Sequence, residues 1–182
     1  MSATDPFAQQ PAPGFDDPIG VLRACHRRME RQLATLQRLR KHLPSNHADD
    51  DARAAASAII RYFDSAAPHH HADEEASLLP RLAAADPALA RICASLTREH
   101  ASLESRWLHL RPLLAAIAAR SSGYLPVKGV GEFCAAYVSH IEREETLVLA
   151  RAAEVLDATA LAAIGAEMAE RRELRNAKPQ DR

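Results

Sequence analysis

The chain has 182 residues, enough for one domain with a full core, and its 23 basic and 24 acidic side chains leave a formal charge of −1. With no basic run or face, no nucleic-acid partner is expected, and no apolar run reaches the ~18 residues that a membrane span needs. High alanine, six glycines and few aromatic residues favour helix over sheet.

Residues 1–15, rich in Pro, Ala and Gln, read as a disordered lead-in, without the basic and apolar regions of a signal peptide. Asp17 as cap and Pro18 as first residue start a helix that should run to about His42, where "LPSNHADDD" stops it. A second helix spans about Asp50 to Leu82, interrupted at Pro68. Asp86 and Pro87 start a third, which reaches about Arg120 with a kink at Pro112. "SSGYLPVKGVG" is a loop, and a fourth helix covers about Gly131 to Leu156. "DATALAAIGAEMAERREL" forms a shorter fifth, and residues 175–182 are a frayed tail. The fold class is therefore all-α: an up-down-up-down four-helix bundle with an additional C-terminal helix, over residues 16–174. Cys25, Cys93 and Cys134 lie far apart beside apolar stripes and read as small buried hydrophobes, which suits a reducing, cytoplasmic setting.

The polar residues on the apolar stripes carry the functional signal. The first helix shows Leu22, His26, Met29, Leu33, Leu36; the second shows Ile59, Phe63, Ala66, His70, Glu74, Leu78, Leu82. The third shows Leu89, Ile92, Leu96, His100, Leu103, Trp107, Leu110, Leu114, and the fourth Val130, Phe133, Tyr137, His140, Glu144, Leu147. Steps of three and four place each set on one helix face, the face that a bundle buries. If the helices alternate up and down, a rise of about 1.5 Å per residue puts His26, His70, Glu74, His100, His140 and Glu144 in one layer, roughly 12–20 Å from one end.

A buried carboxylate must be neutralised, paired or bound to a cation. No Lys or Arg lies on the four stripes at that depth, so two carboxylates among four imidazoles call for bound metal. The donor set suits Fe, Mn or Zn better than Ca or Mg. The two glutamates could bridge a pair of ions, with the imidazoles capping the ends.

"HHADEEASLLP" in the second helix and "HIEREETLVLA" in the fourth, with the single histidines of "LRACHRRME" and "TREHASLE", resemble the haemerythrin-like HHE cation-binding family over about residues 16–156. The resemblance implies a bundle holding a non-haem di-iron centre, two iron ions with Zn or Mn as substitutes. It implies His26, His70, Glu74, His100, His140 and Glu144 as the ligands. The oxygen-carrying members use five histidines and two carboxylates, with two histidines four apart on the third helix. Here Glu104 stands four residues after His100, and one imidazole is missing. The ferritin-like alternative places Glu before His as Glu-x-x-His, the reverse of both pairs here.

Around these six, Glu104 is either a solvated acid or a substitute ligand. His69 and His71 flank His70 at about 100° on either side, positions for surface or supporting roles. Asp73, Glu75 and Glu145 could orient imidazoles or be solvated, and Tyr137 could pack or hydrogen-bond near the site. The first functional reading is a binder or sensor of dioxygen, nitric oxide or iron itself. An enzyme activating dioxygen or peroxide is the second, and metal storage or stress response the third. The fifth helix and the Pro-rich start are candidate surfaces for a partner or a homodimer.

Overall fold

The computed structural model describes residues 13–177, with side chains to residue 173. Residues 1–12 and 178–182, most of the expected lead-in and tail, lie outside the described residues. The described residues form five helices: α1 (Pro18–Asn46), α2 (residues 50–85), α3 (Pro87–Ala118), α4 (residues 127–155) and α5 (Ala158–Ala177). Among the described residues there is no strand, so the all-α expectation holds.

Aspartates start four of the five. The carboxylates of Asp17, Asp49, Asp86 and Asp157 accept backbone N–H groups of Gly20, Ala52, Ala88 and Ala160, satisfying donors that a helix start leaves free. The exception is α4, whose cap is Pro126, with no side-chain bond. This helix begins at Val127, four residues before the expected Gly131. The Pro126 carbonyl accepts the Val130 N–H at 3.1 Å, and burial of Leu125 and Val130 outweighs the two glycines of the first turn. Similarly α1 runs through Pro44 to Asn46 and ends at His47, which adopts φ 56°. Buried Leu43 anchors that last turn against the core.

Pro68 does not interrupt α2. A π-turn at Tyr62–Ala66 precedes it, and a second at Glu74–Leu78 precedes Pro80. In both, a backbone N–H reaches back five residues, Ala67 to Tyr62 and Leu79 to Glu74. The wider turn makes room ahead of a ring that would otherwise press on the carbonyl four residues earlier. A third π-turn, Glu144–Leu149 in α4, shifts the register beyond Glu144. Leu147 is consequently 39% exposed and Val148 1%, so the predicted stripe position passes to its neighbour. Ala66 and Ile92 are half-buried; the other predicted stripe residues are buried. All three cysteines are free and buried, as expected.

The core divides in two. One cluster joins Met29, Leu36, Phe63, Trp107, Leu114 and Phe133 with their neighbours; the other joins Leu22, Leu78, Leu82, Leu96, Val148 and Met168. On every long helix a histidine lies between the two. The second cluster includes Ile164 and Met168 of α5, which also clasps α2 through charge. Asp73, with its side chain fully buried, accepts from Arg171 at 2.9 Å and from Arg172 at 2.6 Å. Asp73 is thus an anchor for α5 and orients no imidazole.

Gly165 of α5 lies against the carbonyl oxygen of Phe15, where an added Cβ would stand 1.9 Å away. Gly165→Ala should therefore cost about 1–3 kcal/mol of stability, read as a lower urea midpoint at unchanged slope.

Candidate metal centre

Each long helix delivers donors from one face. His70 and Glu74 are four apart on α2, and His140 and Glu144 four apart on α4, so each pair stacks one turn above the other. The π-turns begin at the two glutamates themselves. His26 of α1 and His100 of α3 complete the layer, and all six side chains are at most 3% exposed.

The six predicted residues converge. His26 Nε2 lies 3.0 Å from His70 Nε2, and both belong to a group with Glu74 and Glu144 whose ligand atoms all fall within 4.8 Å of one another. A second group within the same span contains His71, His100 and His140. Each glutamate reaches both groups. Glu74 sets one oxygen 3.2 Å from His70 Nε2 and the other 3.4 Å from His100 Nε2. Glu144 sets one oxygen 3.1 Å from His26 Nε2 and the other 3.0 Å from His140 Nε2. Donor atoms held about 2.1 Å from one ion at right angles lie about 3 Å apart, so these separations suit ligands sharing an ion.

Hydrogen bonding supports the same reading. Both Glu74 oxygens, Glu144 Oε2, His140 Nε2 and His71 Nε2 are buried without a hydrogen-bond partner. Leaving so many polar atoms unmatched in one layer is costly unless cations meet them.

The outward nitrogens are bound instead by an outer ring of carboxylates. His26 Nδ1 donates to Glu145 at 2.8 Å, His100 Nδ1 to Glu75 at 2.7 Å and His140 Nδ1 to Glu99 at 3.1 Å. Each bond selects the tautomer that leaves Nε2 as the inward lone pair and raises its basicity. Glu145 and Glu75 were candidates; Glu99 was not. Its signal was its place one residue before His100, which directs it away from its own helix's ligand toward α4. Arg23 and Arg143 pair in turn with Glu145 and Glu99, so two of the three outer carboxylates are neutralised from outside. His70 Nδ1 has no such partner.

Glu104 does not replace the missing imidazole. It is exposed and lines a groove between α2 and α3. Tyr137 is buried in an aromatic cluster with Phe63 and Phe133. His71 reaches the layer, but its ring stacks on His100 with centroids 4.0 Å apart and planes 9° from parallel. Its Nε2 is buried without a hydrogen-bond partner and belongs with His100 and His140 to the second donor group, so this candidate too reaches the layer.

Protons would distribute as follows in the metal-free protein. Burial alone would lower His26 and His100, but the close approach of Glu144, with Glu74 nearby, raises them to about 9 and about 10. Burial, then the Glu144 charge, pushes Glu74 up to about 7. Burial would raise Glu144 too, yet the close approach of His100, His140 and His26 holds it well below the usual range. Burial, then His100 and His140, lowers His71 to about 3.

Residues 17–152 match the family described as "Hemerythrin HHE cation binding domain". The chain belongs to the hemerythrin HHE family. No curated protein is similar enough to match. In this HHE domain the His/Glu cluster is a potential metal site of the kind the family uses.

Two outcomes follow. At pH 7 the inward nitrogens of His26 and His100 hold protons that a metal must displace. Metal binding should therefore release protons, and affinity should rise as pH rises from 7 through 9–10, measured by calorimetry in buffers of different ionisation heat. Glu75→Gln should weaken metal binding roughly 10–100-fold while Glu104→Gln leaves it unchanged, by chelator competition.

Proposed function

We propose that this HHE domain is a non-haem di-iron protein that binds a small ligand, dioxygen or nitric oxide, at an open coordination position. The observation that carries the reading is the pair of buried glutamates, each with one oxygen toward His26 or His70 and the other toward His100 or His140. Such carboxylates suit two neighbouring cations better than one.

His26 and His70 would hold the first ion and His100 and His140 the second, with Glu74 and Glu144 shared. Two imidazoles and two carboxylate oxygens fill four positions of a six-coordinate ion, which leaves room for an external ligand on each. Bound iron would supply a Lewis-acidic, redox-active position there. Neither donor group contains a cysteine, which favours iron or manganese over soft-ligand metals.

The protein's own contribution is to fix and shield. Glu145, Glu75 and Glu99 hold three rings in orientation, and apolar clusters above and below exclude water from the layer. A change of ligand or metal state has a route outward through α2. Asp73, next to Glu74, is the buried anchor of α5, so a displaced Glu74 turn would disturb the docking of the C-terminal helix. That connection favours sensing over simple storage, with α5 as the surface a partner or second copy would read.

Anaerobic loading with iron(II) followed by air or nitric oxide tests this. The expected result is about two irons per chain with new near-ultraviolet charge-transfer bands. Zinc that iron cannot displace, or iron without any spectral response to either gas, would overturn it.

A further inference from the structure

The α3 helix supplies one imidazole to the layer, and Glu104 does not add a donor. The shortfall falls on the second half of the site. His26, His70, Glu74 and Glu144 form a set of four, whereas His100 and His140, which approach the same two glutamates, are grouped with one further residue, His71.

Consecutive residues on a helix point about 100° apart, and on α2 that angle lets His70 and His71 serve different neighbours. His70 stands against His26 of α1, edge to face, with ring centroids 4.7 Å apart. His71 stands against His100 of α3 at 4.0 Å and lies 6.1 Å from His140 of α4, nearly perpendicular to it. Its ligand atom falls within 4.8 Å of theirs.

Nothing else in the layer uses that ring. Its Nε2 is buried with no hydrogen-bond partner, a costly state for an imidazole nitrogen. The outer carboxylates Glu145, Glu75 and Glu99 are taken by His26, His100 and His140. His71 is half-buried and borders the groove between α2 and α3, where Ala67, Ala72 and Ala101 keep the walls low. Parallel rings send their lone pairs side by side, so sharing an ion requires the His71 ring to turn out of its stack on His100. The alanine walls leave space for that turn.

We propose that His71 is the fifth imidazole of the centre, supplied by α2 in place of a second one from α3, and that it ligates the second ion together with His100 and His140. The inference deepens the di-metal reading and rests on it. The two positions are then unequal. Three imidazoles and an oxygen from each glutamate hold the second ion, against two imidazoles and two such oxygens for the first.

The full chain and its variants are loaded anaerobically with iron(II) and stripped by a graded chelator. The unmutated chain should retain two irons. His71→Ala should weaken one of them by more than the roughly 10–100-fold expected for Glu75→Gln, because a lost ligand costs more than a lost support. Free imidazole, which a groove of about 580 Å³ admits, should restore that iron to His71→Ala. His71→Leu, similar in bulk but without a donor, should lose the iron equally and resist rescue, and it keeps the affinity test open should His71→Ala fold poorly. His69→Ala removes a ring bound to the Ser65 carbonyl at 2.6 Å and should match the unmutated chain. A loss in both His71 variants no greater than that of Glu75→Gln, or no rescue of folded His71→Ala by imidazole, would overturn ligation by His71. Rescue of His71→Leu to the same degree would overturn it too, since imidazole would then be acting elsewhere. An unmutated chain that holds fewer than two irons is a separate result, and it removes the di-metal reading itself.

Discussion

Two buried carboxylates among four inward imidazoles govern the architecture. The layer they form lies between the two clusters of the hydrophobic core. Glu74 and Glu144, each 1% exposed, lose their hydration, and among the described residues no arginine or lysine reaches them to compensate. In the metal-free state protons on His26 and His100 must serve instead. Cations satisfy more of the layer, meeting oxygens and nitrogens that otherwise find no partner. The same feature that weakens the core as a hydrophobic structure makes it a metal site.

The rest of the bundle keeps that layer in register. The second π-turn of α2 and the π-turn of α4 start at the two glutamates and widen the helix there; in α4 the apolar stripe resumes one position further on, with Val148 in place of Leu147. The outer glutamates fix three imidazole tautomers, and Arg23 and Arg143 neutralise Glu145 and Glu99 toward solvent. Asp73 ties the Glu74 turn to α5, extending the influence of the site to the chain's last helix.

The departure from five histidines has a structural consequence. With Glu104 directed outward, α3 contributes one imidazole, and the space beside it is a groove ending at His71.

Much of this was legible in the sequence. Helical period, Asp-Pro starts and the doubled His-x-x-x-Glu pattern depend on spacing along one chain, and spacing is what a sequence records. They determined the all-α class, the bundle and the six residues that share a layer. The interruption expected at Pro68 and the start expected at Gly131 did not hold, because proline and glycine were weighed by local propensity, whereas a π-turn and burial of flanking residues overrode it. Glu99 on His140, Asp73 under the arginines of α5, and the stacking of His71 on His100 were decided only by tertiary structure. Each joins side chains on different helices, and whether an acid one step off a stripe meets solvent, an arginine or an imidazole depends on the helix packed beside it.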